Sequence, residues 1–206
     1  FYYIAPKVWA WKEGRVKILK QFVDKLFIIF PFEIEYFKKH GIEPVYEGNP
    51  SPDAIESKVK ESPTFDEFTA KNGLSHKPII ALVAGSRKQE IKYNLPVMLK
   101  MIDRFPDYQF VIAGAPSLSE SIYAPYIAGK NVKLIFGQTY PLFNSSTLAF
   151  VTSGTATLEA ALLNVPQVVC YKGNFFSMII AWMVIKVKYI SLVNLNMETE
   201  VVRELK

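Results

Sequence analysis

Ser153-Gly154-Thr155-Ala156-Thr157-Leu158-Glu159-Ala160-Ala161-Leu162-Leu163 follows, after Thr152, on the apolar run Leu148-Ala149-Phe150-Val151. Four small or hydroxyl-bearing residues, Ser153 to Ala156, separate a strand-like segment from a helix-like one, and the helix carries a single carboxylate, Glu159, about one turn in. A helix that opens at the end of a strand presents backbone N–H groups without intrahelical partners, together with the positive end of its dipole. Such a corner is suited to an anion. Glu159 then has two readings. A carboxylate accepts hydrogen bonds from two vicinal hydroxyls, which is how nucleotide sites hold a ribose. It also complements the dipole of its own helix, an effect worth about 0.3–1 kcal/mol.

A second corner of the same kind follows the run Ile80-Ala81-Leu82-Val83. Its residues are Ala84-Gly85-Ser86-Arg87. Gly85 allows close approach of backbone to a ligand, Ser86 is a good helix N-cap, and the Arg87 guanidinium can fork onto phosphate oxygens. The competing reading is a capped helix in which Arg87 pairs with Glu90. No Gly-x-Gly-x-x-Gly and no Gly-x-x-x-x-Gly-Lys-Ser/Thr follows any strand, so the two corners are not the usual NAD or ATP loops.

Outward from these corners, short apolar runs alternate with amphipathic or polar segments. Strands are expected at 2–5, 27–30, 45–46, 79–83, 108–113, 132–136, 148–151 and 167–171. Helices are expected at 13–25, 33–40, 88–105 (kinked near Pro96), 119–127, 140–145, 156–163 and 175–187, with one or two more within 56–77. This alternation predicts an α/β fold with a doubly wound parallel sheet. Ligands on such sheets bind beyond the carboxyl ends of the strands. The cluster Gly48-Asn49-Pro50-Ser51-Pro52 suits a boundary, so residues 1–48 and 49–206 are read as separate domains.

The 206 residues are half hydrophobic and one-fifth charged, with a formal charge of +5, a composition that is globular and mildly basic. One cysteine, Cys170, excludes an internal disulfide, and its apolar neighbours suggest inert packing. His40 and His76 have no ligand-like spacing, so neither a metal nor a cofactor is expected. The longest apolar stretch, residues 175–185, is shorter than the roughly 20 residues a bilayer span requires. The chain opens inside an apolar run, Phe1 to Pro6, and is read as part of something longer.

Several segments taken together resemble one family, the lipid-A-disaccharide synthases, which are inverting glycosyltransferases of the GT-B type. They are Ala5-Pro6-Lys7-Val8-Trp9-Ala10-Trp11, Phe30-Pro31-Phe32-Glu33, Gly48-Asn49-Pro50, Gly85-Ser86-Arg87-Lys88-Gln89-Glu90-Ile91, Ser153-Gly154-Thr155-Ala156-Thr157-Leu158-Glu159 and Tyr189-Ile190-Ser191-Leu192-Val193-Asn194-Leu195. Their order matches, and the resemblance covers nearly the whole chain. It implies a C-terminal Rossmann-like domain for the UDP-sugar, without its final helices, preceded by the trailing part of an N-terminal Rossmann-like domain on the acceptor side. The implied donor is UDP-2,3-diacylglucosamine and the acceptor 2,3-diacylglucosamine 1-phosphate. The implied products are a β-1,6-linked disaccharide phosphate and UDP.

The resemblance assigns Gly85, Ser86, Arg87 and the Ser153-Gly154-Thr155 loop to the diphosphate, Glu159 to the ribose and Asn194 to the edge of the donor site. The family's proposed base, an Asp, has no match here and is expected upstream of Phe1, so residues 1–206 alone are expected to be inactive. The resemblance also implies a cytoplasmic enzyme, peripheral on the inner face of the inner membrane of a Gram-negative bacterium, with no nucleic-acid partner and a homodimer as one option. Two features suit a membrane surface: the basic set Lys7, Lys12, Arg15, Lys17 and Lys20 near Trp9 and Trp11, and the apolar segment containing Phe175, Trp182 and Met183. Alternatives within the fold class are a muramyl-lipid glycosyltransferase, a UDP-GlcNAc 2-epimerase and a non-catalytic UDP-binding module.

Overall fold

A computed structural model describes residues 1–11, 13–173 and 188–205. Among them, the strands form two parallel sheets, one of three strands and one of six. The smaller sheet holds β1 (Tyr2–Tyr3), β2 (Leu26–Ile28) and β3 (Pro44–Tyr46) in chain order. Its crossovers are α1 (Val8–Trp11) with α2 (Arg15–Phe22), and then α3 (Phe32–Lys39). Val16 and Leu19 of α2 and Phe37 of α3 close over Leu26 and Ile28 to make its core.

The larger sheet is built from β4 (Ile79–Val83), β5 (Gln109–Gly114), β6 (Val132–Phe136), β7 (Ser146–Thr152), β8 (Gln167–Cys170) and β9 (Arg203–Leu205). Its spatial order is β6-β5-β4-β7-β8-β9, every neighbouring pair being parallel. The chain therefore winds outward from β4 through β5 to β6, then returns to the other side of β4 with β7. That is the order of a Rossmann-type sheet, with its reversal between β4 and β7.

The two faces of the sheet are covered by different helices, because successive residues of a strand point to opposite sides. Ile80 and Leu82 of β4 pack with Ile91, Leu95 and Met98 of α6 (Lys88–Leu99). Ile79, Ala81 and Val83 face the other way. They pack with Phe68 of α5 (Phe65–Asn72), Leu142 and Phe143 of α8 (Thr139–Asn144) and Ala160 of α9 (Thr155–Leu162). All five residues of β4 are buried, as expected for a central strand covered on both faces.

Several expected boundaries shift. The helix expected at 13–25 is confined to Arg15–Phe22. The one expected at 88–105 ends at Leu99 with Pro96 inside its last turn, followed by a short 3₁₀ segment at Ile102–Arg104. The one expected at 119–127 divides into 3₁₀ Glu120–Ile122 and α7 (Ala124–Ile127). The turn cluster at 48–52 is in part the start of α4 (Ser51–Lys60), whose Pro52 lies in the first turn, where a missing N–H costs nothing. Three elements had no counterpart in the sequence reading: α1, β9, and α10 (Leu192–Met197), capped by the Ser191 hydroxyl on Asn194 N–H. The helix expected at 175–187 lies outside the described residues.

A fourth core cluster joins the two sheet units. Trp9, Phe30 and Phe32 from the smaller one meet Leu158 of α9 and Leu192 and Leu195 of α10. Glu33, only 1% exposed, is anchored there. Its carboxylate accepts from the Trp9 indole N–H at 2.9 Å and from the N–H groups of Phe30 and Ile29 at 3.2 and 3.3 Å. Burial raises its pKa above the ordinary carboxylate range, while those hydrogen bonds and the nearby charge of Lys7 oppose the shift.

The native state thus holds the Glu33 proton more tightly than the unfolded chain does. The resulting contribution to stability is complete below the unfolded carboxylate pKa and is lost as pH rises through the higher folded value. Urea unfolding of the intact protein across that window should therefore show stability falling with pH in wild type and a flatter profile in Glu33→Gln. Identical slopes would contradict the shift.

Candidate active-site cleft

The carboxyl ends of β4, β5 and β7 border a cleft of about 610 Å³. Because α6 and α9 leave the sheet toward opposite faces, the loops after β4 and β7 diverge and leave a crevice between them. The structure brings together there Gly85, Ser86 and Arg87 from the first corner with Ser153, Gly154, Thr155 and Glu159 from the second. Asn194 is not among the residues lining it. Its side chain is fully buried, donating to Val202 O and the Glu204 carboxylate and accepting from the N–H groups of Val201 and Val202. Those four bonds use the whole capacity of the amide, and they explain the position as a tie between α10 and β9. Phe175, Trp182 and Met183 lie outside the described residues.

The two corners differ electrostatically, which sequence reading did not anticipate. At the first, Glu90 folds back from α6. Its Oε2 accepts from Ser86 N–H at 2.8 Å and Arg87 N–H at 3.2 Å, and its Oε1 lies 3.5 Å from the Arg87 guanidinium. Of the two readings of this corner, the open anion site on these amides is thus corrected, and the capped helix with Arg87 paired to Glu90 is the one that forms. The Arg87 side chain, though paired with Glu90, is 82% exposed.

At the second corner no side chain of the described residues caps α9, whose N-cap position is Gly154. The hydroxyl of Thr157 turns back to Gly154 O, and that of Ser153 donates to Ile190 O at 2.5 Å, so neither hydroxyl donor occupies the helix end. Ile190 is itself tethered, its N–H and that of Ser191 donating to Glu204 on β9. The loop that carries Ser153 is thereby tied to the far side of the sheet.

Glu159 lies on the cleft side of α9, half-buried, and its Oε1 accepts from the Tyr140 hydroxyl at 3.2 Å. Burial, and then the Glu159 charge, raise the Tyr140 phenol above its ordinary pKa, which keeps it a donor to the carboxylate. Lys58 Nζ of α4 stands 4.6 Å from the centroid of the Tyr140 ring.

Three further contributors were missed. Tyr140 carries no motif of its own. The loop Gly114-Ala115-Pro116 also borders the cleft, and the rule that ligands lie beyond strand ends would have found it. Gly114 is required sterically, since a Cβ there would lie 2.5 Å from the Phe136 ring. The third is Lys7, which the sequence reading grouped with Arg15, Lys17 and Lys20. Those three are exposed on α2, whereas Lys7 lines the cleft.

Gly85 has φ +112°, and a Cβ at this position would lie 2.6 Å from the Cβ of Glu90. Gly85→Ala is therefore expected to displace Glu90 from the loop and to cost about 1–3 kcal/mol, the usual range for a strained backbone position. Chemical denaturation would measure it; a variant as stable as wild type would contradict the tightness of this turn.

Comparison with known proteins agrees with this geometry. The chain matches the family model described as lipid-A-disaccharide synthetase over residues 1–206. It is 36% identical over 212 residues to the lipid-A-disaccharide synthase of Anaeromyxobacter dehalogenans, covering 99% of this chain and 54% of that one. The corresponding enzyme of Syntrophus aciditrophicus is 37% identical over 202 residues, 95% of this chain and 52% of that one. The chain thus spans about half the length of these curated relatives.

Among solved structures, the S. aureus MnaA–UDP co-structure superposes with a TM-score of 0.58 at 17% identity, over 88% of this chain and 51% of that one. A UDP-GlcNAc 2-epimerase from Neisseria meningitidis bound to UDP-GlcNAc gives 0.53 at 18%, over 84% and 51%. These likenesses show the fold, an α/β architecture of the GT-B kind. On the evidence of the full-length match, the chain belongs to the lipid-A-disaccharide synthetase family.

Proposed function

We propose that this chain forms the donor-binding half of a lipid-A-disaccharide synthase. The enzyme transfers 2,3-diacylglucosamine from its UDP derivative to the 6-hydroxyl of 2,3-diacylglucosamine 1-phosphate and releases UDP. The observation that carries the reading is the convergence of an uncapped helix end, an exposed guanidinium and a half-buried carboxylate on one crevice at the sheet's reversal point.

In this reading the UDP diphosphate lies against the N-terminus of α9. Its amides and dipole are oriented before the substrate arrives, so no reorganisation is needed as charge develops. Arg87 reaches from the opposite corner to the same oxygens. Glu90 does not bind substrate: it holds the Ser86–Arg87 turn in shape, leaving the guanidinium as that loop's contribution. Glu159, oriented by Tyr140, accepts the two ribose hydroxyls.

As the anomeric carbon–oxygen bond breaks, the electron pair passes to the diphosphate, where α9 and Arg87 meet the charge. The acceptor oxygen forms the new bond on the opposite face, which inverts the configuration, and its proton passes to a base. By family resemblance that base is an Asp that residues 1–206 do not match.

The reading divides the chain into an acceptor-side unit, 1–48, and a UDP-sugar unit, 49–206. It also places the enzyme on the cytoplasmic face of the inner membrane, where its acylated substrates reside, with homodimerisation as a further option. Exposed Ile18 and Phe22 beside Arg15 and Lys17 on α2 support a surface of that kind. Among the described residues, no helix is long and apolar enough to cross a membrane.

In the intact protein, Arg87→Ala is expected to lower kcat/KM about 100- to 1000-fold, the usual loss for one donor aimed at developing charge. Glu159→Gln should weaken UDP more than uracil diphosphate mimics that lack the ribose, because only the former offers it hydroxyls. Calorimetry with UDP and inorganic pyrophosphate separates the two effects. A folded Arg87→Ala protein with wild-type turnover would overturn the assignment.

A further inference from the structure

The charges that line the cleft do not suffice for a diphosphate if only the larger sheet is considered. Its corners contribute one cation, Arg87, and two carboxylates, Glu90 and Glu159. Arg87 lies within 3.5 Å of Glu90 and is partly neutralised by it. A nucleoside diphosphate brings at least two negative charges to this place, so a second cation is required near the same oxygens.

Among the described residues, Lys7 is the other cation on the cleft wall. It lies between β1 and α1, beyond the carboxyl end of β1, and is the smaller sheet unit's contribution to the described lining. Its surface is open to water, yet protein surrounds it on enough sides that desolvation draws the ammonium pKa below its ordinary value, while the Glu33 charge opposes that shift. Glu33 cannot follow Lys7 outward, because Trp9, Ile29 and Phe30 all donate to its carboxylate. The Glu33 carboxylate offsets part of that desolvation, and the ammonium makes no hydrogen bond or ion pair to any described residue. A lysine on the cleft wall with its three donors uncommitted is equipped to take a phosphate oxygen.

We infer that Lys7 is a phosphate-binding residue of the cleft, contributed by the smaller sheet unit and acting opposite Arg87. The inference rests on the donor-site reading above. The phosphate oxygens have two sources in that reaction, the UDP diphosphate and the 1-phosphate of the acceptor; the same ammonium serves either. The position also gives the two sheet units a shared ligand, since an anion held by Lys7 and the α9 N-terminus bridges them.

The test uses the intact protein with Lys7→Met, Lys7→Gln and Lys7→Arg. Calorimetry with UDP comes first, followed by steady-state kinetics against the acceptor. Loss of one charge-assisted hydrogen bond predicts about a 10- to 100-fold effect. It should fall on the UDP Kd if the diphosphate is the partner, or on the acceptor KM with UDP affinity retained if the 1-phosphate is. Lys7→Arg should recover part of either loss, because the charge returns.

A second measurement needs no variant. Reductive methylation of the wild-type protein, read by mass spectrometry at Lys7, should slow in the presence of UDP or of glucosamine 1-phosphate. Wild-type protein that binds UDP, with Lys7 variants matching it in both constants and Lys7 methylated at the same rate with either ligand present, would overturn the inference alone. Wild-type protein that binds no UDP would overturn the donor-site reading and this inference with it.

Discussion

The architecture depends on one topological constraint. β4 and β7 are parallel neighbours, with Ile80 opposite Leu148 and Val83 opposite Val151, but the helices that follow them cover opposite faces of the sheet. Two loops that begin side by side must then separate, and they leave a gap between them at the rim of the sheet. Burial of all five β4 side chains makes this arrangement costly to change, because flipping either helix to the other face would expose one half of the core. The cleft and its polar corners are consequences of that packing.

A second layer of order comes from how the corners are braced. Glu90 closes the first turn upon itself, Ser153 is tied through Ile190 to Glu204 on the outermost strand, and Tyr140 fixes the rotamer of Glu159. Each brace spends a polar group on geometry and leaves another available: the guanidinium, the α9 amides and the free side of the Glu159 carboxylate. The smaller sheet is docked against the same region through Trp9, Phe30 and Leu192. The Trp9–Glu33 hydrogen bond links two of the segments on which the family resemblance rests, and Leu158 and Leu192 from two others lie in the same cluster. Residues that look like separate motifs in the chain are thus neighbours in the fold.

What could be read from the chain follows physical lines. Central strands such as 79–83 and 148–151 are continuous apolar runs because both faces are covered, and such runs stand out without any alignment. The hydroxyl- and glycine-rich corners are equally legible, since a strand that turns directly into a helix needs small residues. β9 was not legible: Arg203-Glu204-Leu205 is a short edge strand whose outer residues are exposed, so it carries no apolar signal. Asn194 shows the opposite failure. A polar residue beside a suspected site invites a ligand role, whereas its full set of backbone and carboxylate partners depends on β9, which the pattern did not reveal. The capping of the first corner by Glu90, a contact over three and four residues, was legible as one of two readings; that Lys7 turns into the cleft was not, because it follows from tertiary packing.

The central claim is that the two corners at the β4–β7 reversal receive one diphosphate. A crystal structure of the intact protein soaked in uridine diphosphate tests it most directly. The account predicts both phosphates over the N-terminus of α9, within hydrogen-bond reach of the Gly154 to Ala156 amides and the Arg87 guanidinium, with the ribose hydroxyls on Glu159. Nucleotide density bound elsewhere, or phosphates remote from Gly154 and Thr155 while the α9 end stayed bare, would contradict it.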